Sequence, residues 1–163
     1  FYWGHDAVSF WFDRYARGDD NAISISARRG LDVFVGNGRC VLCHMGANFS
    51  DSRFHNIGTA KVDRGREAVT GNAADKGAFR TPTLRNIALT APYMHDGSSQ
   101  TLKEVIKRYE TLGAQRAKNP SMSPLLMPIL LKPQERIDLE AFLLALTGDP
   151  LDSKLTTKPE LPK

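Results

Sequence analysis

The only two cysteines of this 163-residue chain are Cys40 and Cys43, and His44 follows the second one directly. This C-x-x-C-H pattern is typical of covalent c-type haem attachment, in which the two thiols add to the two vinyl groups of one porphyrin. The histidine then lies under the iron as its proximal ligand. A zinc site would need more thiols or histidines at ligand spacing, and a thioredoxin-like redox pair would have no use for the histidine. The sequence therefore predicts one covalent haem c bound by these three residues.

Composition and charge agree with one small haem domain. The chain is 41% hydrophobic with a net charge of +4, and its Lys and Arg residues are spread rather than grouped. This spread argues against a nucleic-acid-binding stripe, whereas a basic rim suits the docking of an acidic redox protein. No apolar run of about 18 residues occurs, so no membrane span is expected. Haem c is attached outside the cytoplasm, so we expect a periplasmic protein. Because the chain begins at Phe1 without an initiator methionine, we also expect a processed or partial product.

Three stretches have apolar residues at helical spacing together with suitable start and stop residues. Their predicted bounds are residues 26–36, 101–113 and 133–148. Ser26 is the predicted N-cap of the first helix, Thr101 and Glu104 form a capping box before the second, and Pro133 suits the first turn of the third. The first helix ends just before the two cysteines, a common way of presenting them to a haem.

The predicted fold class is all-α, a cytochrome-c-like haem domain with long irregular loops. Residues 45–81 are rich in Gly, Asn, Asp and Ser without a sustained period, and we expect them to form loops over the haem edge. We divide the chain into an aromatic-rich edge segment over residues 1–20, the haem domain over residues 21–149, and a polar tail over residues 150–163.

Spacing leaves open which residue binds the other face of the iron. Met94 stands 50 residues after His44, a distance that suits a simple cytochrome c, and a thioether ligand raises the reduction potential of an electron carrier. Tyr109 would supply a phenolate, which favours ferric iron, but it lies on the apolar face of its helix, where tyrosine is more often core. Met122 and Met127 lie further along, in a proline-rich segment. Spacing alone favours Met94 over Tyr109 without deciding the ligand.

A family resemblance appears in residues 77–97, which read G-A-F-R-T-P-T-L-R-N-I-A-L-T-A-P-Y-M-H-D-G, followed by T-L-K-E-V-I at 101–106. Supporting motifs are F-D-R-Y at 12–15, R-F-H-N-I-G at 53–58 and A-F-L-L-A-L-T-G at 141–148. Together these motifs resemble the C-terminal haem domain of the bacterial di-haem cytochrome c peroxidases and the related MauG-type enzymes. The resemblance covers about residues 10 to 150.

The resemblance implies a distal ligand that differs from the one spacing favours. In the family, this ligand lies on the helix after the P-Y-x-H-D-G segment, as Met in classical peroxidases and as Tyr in MauG-type proteins. Counted along this sequence, the position falls on Tyr109, and Met94 becomes a residue that packs beside the site. His95 is placed near the distal helix, facing the region between the two haems.

The resemblance also assigns roles around the edge of the haem. The backbone carbonyls of Thr90 and Pro92 are placed as ligands of a Ca²⁺ between two haem domains, and carbonyl oxygens suit this hard cation. The alternative for both residues is a simple turn. Arg85 and His55 are candidates to hydrogen-bond the haem propionates, which need donors when buried. Otherwise they are ordinary loop contacts.

The implied function is oxidoreductase chemistry driven by H₂O₂. Family members have an N-terminal domain with a second C-x-x-C-H, whose haem reacts with peroxide, and this chain has only one such motif. We therefore expect a partner in the form of a second haem-bearing domain or chain, with residues 1–20 leading towards it. The pair would reduce H₂O₂ or use it to oxidise a protein. The alternative is a mono-haem periplasmic electron carrier with His44 and Met94 as the iron ligands.

Overall fold

The computed structural model describes residues 10–58, 63–115, 119 and 121–150, and this part of the chain is mostly helical. The α-helices are α1 (Trp11–Ala16), α2 (Ile25–Val35), α3 (Glu67–Thr70), α4 (Leu102–Gln115) and α5 (Pro133–Ala145). Short 3-10 turns cover Cys40–Leu42, Ala73–Asp75 and Ile87–Leu89. Among the described helices, none is long and apolar enough to cross a bilayer.

A small antiparallel ladder modifies the all-α expectation. Strand β1 (Phe54–His55) pairs with strand β2 (Phe79–Arg80), with Phe54 opposite Arg80 and His55 opposite Phe79. Both strands lie in the stretch predicted to be loop, and α3 and one 3-10 turn lie between them. The fold is therefore mostly helical rather than strictly all-α.

The core lies where α2 and α5 cross. Gly30 of α2 is buried there, and a Cβ at this position would overlap the backbone carbonyl of Asp138 on α5. Beside the crossing, the rings of Phe34, Phe49 and Phe142 pack with centroids 5.0–6.2 Å apart in tilted and edge-on arrangements, which favour aromatic pairs. Phe142 is completely buried.

The described part of the predicted edge segment packs against this core. The ring of Phe12 on α1 lies 5.2 Å from that of Phe49 and 5.6 Å from that of Phe142. Residues 1–9 and 151–163 lie outside the described residues. The boundaries proposed for the edge segment and for the polar tail therefore stay predictions.

The N-cap of α2 is Ser24, and the prediction of Ser26 was wrong. The hydroxyl oxygen of Ser24 accepts a hydrogen bond from the backbone N–H of Ala27 at 3.1 Å. Ser26 lies in the first turn, and its hydroxyl donates to the carboxylate of Asp138 on α5. A contact between distant parts of the chain thus occupies the side chain that looked like the cap.

Asp138 is the centre of a polar cluster that joins α2 to α5. Arg29 donates to both of its carboxylate oxygens at 2.8 Å, and Ser26 and Gln134 donate to it as well. These hydrogen bonds, that of Arg29 above all, hold the pKa of Asp138 well below its ordinary value. Asp138 is only 3% exposed, so its charge depends on these partners.

Helix α4 starts as predicted but does not stop at Gly113. The hydroxyl oxygen of Thr101 accepts from the N–H of Glu104 at 3.2 Å, and Glu104 accepts in turn from the N–H of Gln100 at 2.6 Å. The helix then continues to Gln115. Gly113 is buried, because the backbone of the proline-rich segment crosses the helix there.

Helix α5 begins at Pro133 as predicted but ends at Ala145, before the predicted stop at Gly148. Its buried apolar residues are Leu139, Phe142 and Leu143, followed by Leu146 directly after the helix. Ile137 of the same helix is 55% exposed. Gly148 instead forms an isolated antiparallel bridge with Phe10, which joins the two ends of the domain.

Replacing Asp138 with Asn should lower the melting temperature at pH 7, because it removes the charge that Arg29 pairs with. A carboxyl whose pKa is lowered by folding stabilises the fold above its unfolded value of about 3.9, and this stabilisation is lost as the pH falls. In thermal unfolding experiments, the difference in melting temperature between Asp138→Asn and the wild type should therefore shrink below about pH 4. Asp32→Asn, an exposed change on α2, is the control. If the difference in melting temperature between Asp138→Asn and the wild type stayed constant down to pH 2, the charge of Asp138 would not be what stabilises the fold.

Replacing Gly113 with Ala should destabilise the protein although Ala is the better helix former by about 1 kcal/mol. The added methyl would collide with the backbone of Met127 and Pro128, and such overpacking costs about 1–3 kcal/mol. Urea unfolding measures the change, with the exposed Thr111→Ala on the same helix as control. A stabilised Gly113→Ala variant would show that the proline-rich segment does not lie against α4.

Candidate haem site

All the residues proposed from the sequence for the site line one cavity of about 490 Å³. They are Cys40, Cys43, His44, His55, Arg85, Thr90, Pro92, Met94, His95 and Tyr109. Its other walls are largely apolar, with Phe34 from α2, Leu102 and Ile106 from α4, and Leu139 and Leu143 from α5. A large apolar cavity next to two cysteines and a histidine fits a covalently held porphyrin.

The C-x-x-C-H motif forms a tight turn directly after α2. Arg39 adopts a left-handed conformation with φ of 55°, and the 3-10 turn Cys40–Leu42 follows. The carbonyl of Cys40 accepts hydrogen bonds from the N–H groups of Cys43 at 3.3 Å and of His44 at 2.9 Å. This turn brings both sulfur atoms and the imidazole to the same cavity.

His44 is oriented by a backbone carbonyl. Its Nδ1 lies 2.9 Å from the carbonyl oxygen of Phe49, which can only accept, so Nδ1 carries the proton. Nε2 is then the nitrogen with a free lone pair, and fixing one ring nitrogen in this way is the usual support for a metal-binding histidine. Burial lowers the pKa of His44, which favours the neutral imidazole that binds metal.

The two cysteines are held as neutral thiols. Burial raises the pKa of Cys40 to about 12 and also raises the pKa of Cys43. A thiolate at either position is therefore disfavoured, and the pair is unlike the activated cysteines of redox enzymes. The sulfur of Cys43 also lies within 4.8 Å of ligand atoms of Asp51 and His55, but that carboxylate and imidazole already bond to each other at 2.8 Å.

Tyr109 differs from the other tyrosine of the cavity, Tyr93. The hydroxyl of Tyr93 donates to the carbonyl of Ile87 at 3.0 Å. No hydrogen bond joins the hydroxyl of Tyr109 to any residue in the part of the chain that the structure describes. Burial raises the pKa of Tyr109, and the nearby Cys40 and Cys43 thiols add to the rise. The hydroxyl of Tyr109 thus has no hydrogen-bond partner among the described residues and is available as a ligand for a metal ion in the cavity.

Two methionines and one further histidine also line the cavity. Met94 is half-buried in a loop at φ of 70°, and the ring of His95 stacks on that of Phe79 with centroids 4.0 Å apart. Met127 reaches the cavity from the proline-rich segment, whereas Met122 is buried against Gly58. Spacing along the sequence had placed Met127 too far from the motif to favour it.

Arg85 has strong partners within the protein. It donates to both carboxylate oxygens of Asp13 at 2.9 Å and to the carbonyl of Ala47 at 2.7 Å. Its guanidinium also lies 4.4 Å from the ring centroid of Phe10. These contacts favour a structural role that ties α1 to the loop after the haem motif, and the propionate role stays a prediction.

His55 is likewise engaged through both ring nitrogens. Nε2 lies 2.8 Å from the carboxylate of Asp51, and Nδ1 lies 3.2 Å from the hydroxyl of Ser123. Burial acts to raise the pKa of Asp51, but the hydrogen bonds from His55 and from the N–H of Arg53 outweigh it and lower this pKa to about 2. The pair joins the loop after the haem motif to the proline-rich segment, which favours the loop-contact alternative.

Thr90 and Pro92 lie at an exposed turn on the edge of the cavity. The N–H and the hydroxyl of Thr90 both donate to the carbonyl of Ile87, at 3.2 and 3.1 Å. This arrangement suits a simple turn as well as a calcium site, so the calcium role stays a prediction.

Comparisons with known proteins support the assignment of the cavity to a haem. A family model described as cytochrome c matches residues 27–147. The methylamine utilization protein MauG of Methylorubrum extorquens is 39% identical over 154 residues, which is 93% of this chain and 42% of that protein. Cytochrome c551 peroxidase of Nitrosomonas europaea is 36% identical over 91% of this chain and 42% of its own length. The chain thus spans less than half the length of these two relatives.

A solved structure shares the same fold. It is the crystal structure of a MauG-like protein associated with microbial copper homeostasis, with a TM-score of 0.75 and 37% identity. The match covers 85% of this chain and 51% of that one.

The Asp13–Arg85 contact predicts energetic coupling between the two side chains. Asp13→Asn and Arg85→Gln should each destabilise the fold, and the double variant should be more stable than the sum of the two losses implies, by about 1 kcal/mol. Urea unfolding of the four proteins measures this coupling. If Arg85→Gln shifts the haem reduction potential while Asp13→Asn does not, the guanidinium binds a propionate and the structural role is wrong.

Proposed function

This chain belongs to the cytochrome c family, and within it to the di-haem cytochrome c peroxidase and MauG group, and we propose that it is the haem domain that passes electrons to or from a partner haem during H₂O₂-dependent oxidation. A cytochrome c domain implies covalent haem c. The observation that carries the proposal is the shared cavity of Cys40, Cys43, His44 and Tyr109.

Each of these side chains has a distinct task in the proposal. Cys40 and Cys43 hold the cofactor covalently, and His44 offers Nε2 to the iron because the carbonyl of Phe49 fixes Nδ1. The bound haem supplies one-electron transfer. Tyr109 would hold the iron through its phenolate oxygen, with its proton passed to water, and such a ligand would stabilise ferric iron and favour oxidative chemistry over simple electron carriage.

The surrounding protein sets the electronic properties of the cofactor. Apolar side chains from α2, α4 and α5 exclude water, and a low local dielectric strengthens the effect of every nearby charge. The identity of the distal ligand and the burial of the cofactor are the two main means by which a protein tunes a haem. Tyr109 contributes the first of these and the apolar walls contribute the second.

The proposal includes partners and a location. A second haem-bearing domain or chain supplies the iron that reacts with H₂O₂, and a redox protein exchanges electrons with this pair. Thr90 and Pro92 offer backbone carbonyls to a Ca²⁺ between the two haem domains. Attachment of haem c outside the cytoplasm supports a periplasmic protein. Residues 1–20 are the proposed junction towards the second domain.

A second candidate function rests on Met94, which lines the same cavity. With His44 and Met94 as the iron ligands, the domain would be a mono-haem electron carrier without catalysis. The thioether would raise the reduction potential, and peroxide would have no reactive iron to bind. This candidate requires that Tyr109 be part of the core only.

The native protein that contains this domain should hold a second haem and should consume H₂O₂. Intact mass measures the haem content, and stopped-flow spectra follow the fully reduced protein after one equivalent of peroxide. We expect two haems and oxidation of both, because reduction of one H₂O₂ to water takes two electrons. Tyr109→Phe should slow or abolish the reaction and change the ferric spectrum, whereas Tyr15→Phe, on α1, should leave both unchanged. A single haem that stays reduced in peroxide would favour the electron carrier.

A further inference from the structure

The backbone of Met127 lies against α4 one helical turn from Tyr109. Residues 109 and 113 are four apart on α4 and therefore lie on the same face of the helix. A Cβ on Gly113 would come within 2.6 Å of the carbonyl oxygen of Met127, and it would overlap the peptide bond to Pro128. Because Gly113 has no side chain, this methionine can approach the helix closely. Met127 and Tyr109 both line the haem cavity.

The segment that carries Met127 is fastened on both sides. Before it, the N–H of Ser123 donates to the carbonyl of Asn56 at 2.8 Å. After it, the N–H of Leu131 donates to the carboxylate of Glu110 at 3.2 Å, and Leu131 is 2% exposed. These two hydrogen bonds fix both ends of the segment, which lines the cavity, and so help to hold the backbone of Met127 beside α4.

We propose that Met127 is a second distal ligand of the haem iron, which replaces Tyr109 when the iron becomes ferrous. The inference rests on the proposed function, since it takes Tyr109 as the ferric ligand. A phenolate is a hard anionic ligand that suits ferric iron, whereas a thioether is a soft neutral ligand that suits the ferrous state. The cavity therefore holds one ligand for each oxidation state, on adjacent elements of the same wall.

The exchange balances with one electron and one proton. A protein electron donor gives one electron to the ferric iron. The bond between the iron and the oxygen of Tyr109 breaks, the phenolate takes a proton from water, and the sulfur of Met127 forms a bond to the iron. Reoxidation by the partner haem reverses each of these changes.

Met127 is better placed for this exchange than Met94 or Met122. Met122 is 3% exposed and is packed against Gly58, outside the cavity lining. Met94 lies in a separate turn, in which its backbone carbonyl accepts a hydrogen bond from the N–H of Gly97 at 3.2 Å. Only Met127 combines a place in the cavity lining with a backbone contact on the face of α4 that carries Tyr109.

The test uses the haem-loaded full protein in five forms: wild type, Tyr109→Phe, Met127→Leu, and Tyr109→Phe combined with either Met127→Leu or Met94→Leu. Leucine keeps the apolar volume of methionine, so these changes should leave the fold intact. Ferric Tyr109→Phe should gain the far-red sulfur-to-iron charge-transfer band of a thioether ligand. The band should be absent when Met127→Leu is added and retained when Met94→Leu is added. Loss of the band with Met94→Leu instead, or no band in Tyr109→Phe, would overturn the proposal.

The ferrous proteins test the exchange itself. Ferrous wild type should be six-coordinate and low-spin, whereas ferrous Met127→Leu should be five-coordinate and should bind CO faster. If both ferrous spectra are the same, no exchange to Met127 takes place. If the ferric spectra of wild type and Tyr109→Phe are identical, Tyr109 is not a ligand and the ligand assignment of the proposed function fails instead.

Discussion

Helices α2 and α5 approach each other closely because Gly30 has no side chain where the carbonyl of Asp138 passes. Gly30 permits this close contact, and the hydrogen bonds from Arg29 to Asp138 join the two helices beside it. Phe34 on α2 and Leu139 and Leu143 on α5 then face the cavity as a single wall. A wider crossing would separate these side chains and open the cavity to water.

The haem motif depends on the same crossing. Helix α2 ends at Val35, and the turn that carries Cys40 and Cys43 follows within a few residues. The orientation of α2 therefore decides where the two sulfur atoms and His44 lie. The opposite side of the cavity is built by α4 with Tyr109 and by the segment with Met127, which approaches α4 at Gly113. Two glycines that permit close backbone contacts thus shape both sides of the site.

Local sequence patterns predicted the parts of this structure that local chemistry determines. The haem motif C-x-x-C-H, the Thr101 cap of α4 and the start of α5 at Pro133 each depend on neighbouring residues only, and each was predicted. Other features depend on partners far along the chain. Ser26 looked like a cap but bonds to Asp138, and Gly113 looked like a helix stop but makes room for Met127. No local pattern could reveal either partner.

In the site, too, the sequence reveals the types of the residues but not the partners that they contact. The sequence indicated which side chains to consider, and all of them except Met122 line the cavity. It could not indicate that Arg85 and His55 are occupied by Asp13 and Asp51, or that the carbonyl of Phe49 orients His44. A backbone carbonyl leaves no trace in residue type, so this last contact is visible only in three dimensions.

Resonance Raman spectroscopy of the ferric haem protein, with ring-deuterated tyrosine and excitation in the phenolate-to-iron charge-transfer band, shows whether Tyr109 binds the iron. We expect enhanced phenolate vibrations that shift on deuteration and are lost in Tyr109→Phe. A ferric spectrum without isotope-sensitive phenolate bands would contradict this expectation, because the cavity would then hold its haem without the ligand on which the proposed oxidative chemistry depends.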